Sequence, residues 1–206
     1  MFVLGVDPGR SRCGYCVVDA RSGRSRAVAL GVITTSPADP LPQRLAELQG
    51  ELRSLIAEFS PSVAAVERVL FQVNVRTAMS VGQASGIAMA EAATAGCEVV
   101  QYSPNQVKQA VAGHGGADKL QIQQMVQTLL GLPALPEPPD AADAAALALT
   151  HIAMAGYPGA SEPAADGGVA RGGRIKNGMA RRAPLGAGAA ARPSPSPSPP
   201  RPGVRS

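Results

Sequence analysis

The 206-residue chain has no tryptophan and only three tyrosines and three phenylalanines, so aromatics are 3% of it. Its core therefore has to be built from Leu, Val, Ile and Ala. Cysteine is scarce as well: Cys13, Cys16 and Cys97, with two histidines in the whole chain. Cys13 and Cys16 have C-x-x-C spacing, but a structural zinc site wants four ligands. In a strand, side chains three positions apart point to opposite faces. Buried, unpaired thiols are the expectation. No apolar run approaches the roughly 20 residues of a membrane span. Residues 1–20 contain Asp7, Arg10 and Arg12 and lack a signal-peptide layout. A cytoplasmic protein without membrane association is expected.

The net charge of +4 is unevenly spread. Residues 1–156 carry 11 basic and 13 acidic side chains, a balance of −2, whereas residues 157–206 carry +6. That second stretch holds nine Pro and nine Gly in 50 residues and includes "RPSPSPSPPRP". Such a composition cannot build a core and reads as a disordered, basic tail. Flexible cationic chain adds sequence-independent attraction to phosphates. The expected organisation is one folded domain, 1–156, followed by the tail, 157–206.

Within the domain, hydrophobic patterning alternates. Residues 2–6, 14–20 and 27–34 read as Val- and Leu-rich strands separated by Gly-containing turns. Leu41, Leu45, Leu48, Leu52, Leu55, Ile56 and Phe59 recur at three and four, which predicts a helix. "VAAVE", 63–67, and "CEVVQY", 97–102, predict two further strands around a helix over 74–95. Helices over 104–112 and 118–130 follow, and a last one begins after Pro138-Pro139. Three strands and then alternating helix and strand indicate an α/β fold with helices on the faces of a sheet.

Four carboxylates stand at element ends. Asp7 closes the first strand, Glu67 closes the fourth, and Asp140 and Asp143 open the last helix, three apart and so on one face. Each has an ordinary reading: an Asp-Pro-Gly turn, a strand end in solvent, helix capping. In open α/β sheets, however, sites gather beyond the carboxyl ends of strands. Convergence of the four would be costly, because two unit charges about 5 Å apart at an effective dielectric of 20 repel by roughly 3 kcal/mol. A cation between them removes that cost. Oxygen-only ligands select hard ions, Mg²⁺ or Mn²⁺, and two such ions form the clamp used by nucleases. His114, in "GHGG", reads as a loop residue.

At this point five stretches, "LGVDPGRSRCGY", "AAVERV", "GQASG", "VKQAVAGHGGADKLQIQQMV" and "DAADAAALALTH", fall in the order and spacing of one family. Residues 1–155 resemble the RuvC Holliday-junction resolvases. The resemblance implies a ribonuclease-H-like fold, a mixed five-stranded sheet with helices on both faces. It implies a Mg²⁺-dependent endonuclease, with two ions per site and Mn²⁺ as an alternative. Such an enzyme resolves four-way (Holliday) DNA junctions by paired symmetric nicks during recombination and repair. It implies a homodimer and, as partners, the RuvA and RuvB branch-migration proteins. Asp7, Glu67, Asp140 and Asp143 become the catalytic, metal-binding set. Lys108 and Lys119 match positions that contact DNA phosphates; Arg76 and Gln83 are further candidates. Where members of the family commonly carry an aromatic three residues after the catalytic Glu, this chain has Leu70, with Phe71 next. Either could act as the apolar wedge that parts stacked bases.

A domain with slight negative charge must meet DNA through a local basic face, for which Arg10, Arg12, Arg68, Arg76, Lys108 and Lys119 are available. The helix over 74–95, with Val75, Met79, Val81 and Met89 beside small Gly82 and Gly86, is the candidate dimer face. Three other readings compete. An actin-like kinase would need a second nucleotide-binding half and a longer chain. A non-catalytic junction-binding protein would have no use for four carboxylates. A ribonuclease-H-like RNA-processing nuclease shares the fold, but "VKQ" and "DAAD" favour the resolvase.

Overall fold

The structure is a computed structural model that describes residues 1–9, 11–21, 24–69 and 75–156, with backbone alone at 75–77. Arg10, Leu70, Phe71 and the expected tail, 157–206, lie outside the described residues, as does the side chain of Arg76.

Ten elements follow in order: β1 (Phe2–Pro8), β2 (Arg12–Asp19), β3 (Arg26–Thr34), α1 (Leu41–Phe59), β4 (Val63–Glu67), α2 (Val75–Thr94), β5 (Glu98–Tyr102), α3 (Pro104–Ala112), α4 (Lys119–Leu130) and α5 (Pro139–Met154). The strands form one mixed sheet in the order β3-β2-β1-β4-β5. β1, β2 and β3 are antiparallel neighbours, while β1, β4 and β5 run parallel. One edge of the sheet therefore gathers the ends of β1, β4, β5 and β3 and the start of β2. The architecture is the expected α/β sheet with helices on both faces.

Strand side chains alternate between two cores. Val3, Cys16 and Val18 pack with α3, α4 and α5. Leu4, Val6, Cys13, Tyr15 and Val17 pack with α1 and α2. Cys13 and Cys16 thus face opposite ways, and all three cysteines are buried and unpaired. α1 buries the stripe Leu48, Leu52 and Ile56. α5 is different. Ala141, Ala142, Ala144, Ala145, Ala146 and Ala148 are fully buried, so this helix sits close against the sheet.

Two glycines permit that approach. A β-carbon at Gly5 would collide with the Ala144 carbonyl oxygen, and one at Gly14 with the Asp140 carbonyl oxygen. Strand glycines commonly mark such close backbone contact. Gly14 pairs with Asp7 across β1 and β2. The first turn of α5 is consequently seated beside Asp7.

Element boundaries differ from the sequence expectations by one or two residues. β1 continues through Asp7 to Pro8, because Asp7 and Pro8 pair with Gly14 and Cys13. The carboxylate is carried inside the strand rather than on the turn after it. Among the described residues, no helix is long and apolar enough to cross a membrane.

Candidate active site

Asp7 and Glu67 come from adjacent strands. The β1–β4 register pairs Val6 with Val66, so the residues that follow, Asp7 and Glu67, lie side by side on the rim. Asp143 lies on α5 one turn beyond Asp140. All four expected carboxylates are half-buried, and their charges act on one another. Asp7 is pushed up to about 8, first by burial, then by the charges of Glu67 and Asp143, by a hydrogen bond with Glu67, and by Asp140. Burial also raises Glu67, while its hydrogen bond with Asp7 and the charge of Lys119 oppose the rise. These directions place a proton on Asp7, donated to the Glu67 carboxylate. The same field crosses the sheet: Cys13, on the other face, is pushed up to about 12 by burial, with Asp7 and Asp140 adding to it.

The two helix carboxylates are held differently. Asp140 accepts an ion pair from Arg12 Nη2 at 3.0 Å. Asp143 accepts from Lys119 Nζ at 2.8 Å. Neither carboxylate caps α5: the N-cap is Pro138, which makes no side-chain cap hydrogen bond. The capping reading of this pair gives way to ion pairs with residues distant in sequence. Lys119 is raised chiefly by its hydrogen bond to Asp143, with the charges of Asp143, Asp140 and Asp7 helping. A lysine in the first turn of a helix is unfavourable for the helix dipole, and this anion accounts for its presence. α4 is capped instead by Asp118, which exchanges hydrogen bonds with Gln121 in a capping box.

The other expected DNA contacts are more dispersed. Lys108, on α3, is half-buried, and its charge is not among those that act on Asp7 or Glu67. Gln83 on α2 and Arg68 beyond β4 are exposed. His114 lies on the exposed connection between α3 and α4, as expected of a loop residue.

Among the described residues, no three His, Cys, Asp or Glu side chains converge as a ready-made metal cage. The side-chain contacts explain this. Asp140 and Asp143 are turned onto Arg12 and Lys119, and Asp7 and Glu67 are hydrogen-bonded to each other. Two side-chain cations and one proton thus offset charge that a divalent ion could offset instead. The donor set is all oxygen and fits a hard cation, so these residues suit such an ion.

Sequence patterning makes Arg12 only one of several basic residues available to DNA, and it does not single out Gly5 or Gly14. A signal for the glycines exists: both interrupt strands that otherwise read as continuous apolar runs.

Comparison with known proteins gives the family. The family profile described as Crossover junction endodeoxyribonuclease RuvC matches residues 3–151. A protein of that name from Chloroflexus aggregans is 49% identical over 151 residues, covering 73% of this chain and 92% of the relative. One from Salinispora arenicola is 48% identical over 175 residues, 84% of this chain and all of the relative. Among solved structures, Thermus thermophilus RuvC superposes with a TM-score of 0.70 at 38% identity, covering 76% of this chain and 98% of that one. The same protein in complex with Holliday junction substrate gives a TM-score of 0.72 at 38% identity, covering 75% and 94%. The chain belongs to the RuvC family of crossover junction endodeoxyribonucleases, which are metal-dependent nucleases.

Proposed function

We propose that this protein resolves four-way DNA junctions by hydrolysing phosphodiesters at the rim formed by β1, β4 and α5. The observation that carries the proposal is the side-by-side placement of Asp7 and Glu67, with α5 seated on Gly14 so that Asp140 and Asp143 act on the same point. Asp7, Glu67, Asp140 and Asp143 would hold divalent ions, Mg²⁺ in the first instance and Mn²⁺ as an alternative. When bound, a pair of such ions supplies an activated water and stabilises the leaving 3′ oxygen.

The chain's own residues do the rest. Asp7 gives up its proton as the site takes up positive charge, and Asp140 and Asp143 turn from Arg12 and Lys119 towards it. That exchange releases Arg12 and Lys119, on two sides of the site, to contact DNA phosphates. Lys108 on α3 extends the basic face, Arg76 is a further candidate for DNA contact, and Leu70 or Phe71 is the candidate wedge. Two identical strands must be cut, which suits a two-fold homodimer. α2 offers the face for it: Met79 is 63% exposed, and open space surrounds Gly82 and Gly86. RuvA and RuvB are the partners the family implies, with the work done on cytoplasmic DNA.

Purified protein given a synthetic four-way junction and a linear duplex, each with Mg²⁺ or Ca²⁺, tests this. The junction should be nicked in Mg²⁺ and the duplex spared. Asp7→Asn and Asp143→Asn should bind the junction and lose roughly 10²–10⁴-fold in cleavage, the several kcal/mol that metal ions contribute. Undiminished Mg²⁺-dependent cutting by either variant would refute the site assignment.

A further inference from the structure

A second group of polar side chains occupies the same rim, on the far side of the β1–β2 turn. Arg44, in the first turn of α1, donates from Nε to Thr35 Oγ1 at 3.2 Å and from Nη2 to Ser11 Oγ at 3.0 Å. Thr35 is 6% exposed, and its backbone N–H donates to the Ser11 carbonyl at 3.0 Å. The guanidinium is therefore tied to both the start of β2 and the end of β3. A shallow cavity opens there, lined by Gly9, Ser11, Arg12, Thr35, Arg44 and Ser80 together with apolar side chains such as Cys13, Ile33, Leu45 and Leu48.

Position and chemistry point the same way. Gly9 lies in the turn that follows β1, and Arg12, the first residue of β2, is the residue that reaches Asp140. Thr35 lies three residues beyond Val32, the β3 residue level with Asp7, and β3 lies two strands from β1, so its backbone sits roughly 14 Å from that of Asp7, with Arg44 reaching it from the α1–α2 face. A DNA strand lying across this rim would bring a phosphate about two nucleotides away to that distance. The hydroxyls of Ser11 and Thr35 orient the guanidinium and carry no charge themselves. An arginine fork oriented by hydroxyls is a preorganised receptor for a phosphate's paired oxygens.

We propose that Arg44, oriented by Ser11 and Thr35, binds a backbone phosphate of the cleaved DNA strand within two nucleotides of the scissile one. The proposal rests on the reading of this protein as a junction nuclease and adds a phosphodiester subsite on the β2–β3 side of it. Arg44 is a positioning residue: it fixes the register of the strand over the carboxylates.

The test is junction binding by wild type and Arg44→Gln across a salt series, with thermal unfolding of both. Arg44→Gln should bind about three- to tenfold more weakly near 0.1 M salt. Its slope of log K against log salt should be shallower by about 0.9 for each phosphate that the protein no longer neutralises. An unchanged slope in a folded variant overturns the proposal. Should Arg44→Gln fail to fold, the DNA is altered instead. Wild type is given junctions with a single uncharged methylphosphonate at successive positions flanking the cut. One position within two nucleotides should weaken binding by a similar factor, and no such position overturns the proposal. Failure of the parent reading looks different: wild type would show no preference for the junction over duplex.

Discussion

The two faces of this sheet bury carboxylates by opposite rules. On the α1–α2 face, Glu91 is 9% exposed and fully answered. It accepts from Arg53 Nε at 2.9 Å, Arg53 Nη2 at 2.8 Å and Gln49 Nε2 at 2.6 Å. Those bonds, the arginine's first, lower its pKa. On the α5 face, Asp7 has a carboxyl for its hydrogen-bond partner and further carboxylates around it, and its pKa rises to about 8. Glu91 stabilises the fold in the state described. Asp7 becomes favourable as an anion only when a cation arrives. A buried acid with its countercharge built in is structural; one that awaits its countercharge is poised for a ligand.

Packing follows the same division, and the largest expected effect breaks it. α1 meets its neighbours through Leu48, Leu52 and Ile56, whereas α5 needs the absence of side chains at Gly5 and Gly14. Gly14→Ala places a methyl group against the Asp140 carbonyl and must lift the first turn of α5. Overpacking of this kind costs about 1–3 kcal/mol. Displacing reacting groups by about 1 Å costs on the order of 10²-fold in rate. Cleavage of a four-way junction should therefore fall by roughly two decades or more, with junction binding largely kept. On the other face, Gly50 in α1 has nothing near its would-be β-carbon. Gly50→Ala should leave cleavage intact and raise stability by about 0.5–1 kcal/mol. Equal cleavage by the two variants would remove the distinction between the faces.

A pH series sharpens the contrast in charge. With divalent ions chelated, folded Asp7 keeps its proton to about pH 8, while the unfolded chain gives it up near 4. The folded state then binds more protons across that window, so ion-free stability should fall as pH rises from about 4 to about 8. Asp7→Asn should flatten that slope and melt higher than wild type at pH 8. Added Mg²⁺ should raise the wild-type melting temperature most at the alkaline end, where no proton competes. Thermal unfolding from pH 5 to 9 in EDTA and in Mg²⁺ measures all three. Parallel wild-type and Asp7→Asn profiles in EDTA would mean that the acidic cluster lacks the strain assigned to it.

Much of this is legible in the chain. The five strands and five helices follow from Val- and Leu-rich runs, the 3-4 repeat of α1 and the Gly and Pro punctuation, and their ends move by only one or two residues. The four acids are legible as a set because each ends or begins an element, which is where a sheet rim gathers residues. The ion pairs are not. Arg12 to Asp140 and Lys119 to Asp143 span 128 and 24 positions, and periodicity carries no information about partners so far apart. The helix-capping reading of Asp140 fails for a local reason: the N-cap is Pro138, which leaves Asp140 inside the first turn of α5. Arg44 with Ser11 and Thr35 is hidden likewise, since a single Arg in an amphipathic helix reads as solvated surface.

The smallest effect concerns Glu91. Its folded pKa is lowered, so its contribution to stability is present above the unfolded carboxylate range and fades as pH falls through the folded value. Glu91→Gln keeps the shape and loses the charge that Arg53 grips. Arg53 is 65% exposed on its side chain, so water replaces much of that interaction, and the melting temperature at pH 7 should drop by only a few degrees. The deficit should shrink at acidic pH, where wild type loses the same charge by protonation. Mg²⁺-dependent junction cleavage should not change, because Glu91 lies near the end of α2 that is farther from the rim and from Asp7. The pH trends of the two acids then run in opposite directions: removing the Asp7 charge helps the ion-free fold most in alkali, and removing the Glu91 charge harms it most there. A shared sign would show that burial alone, without regard to countercharge, sets how this sheet treats its acids.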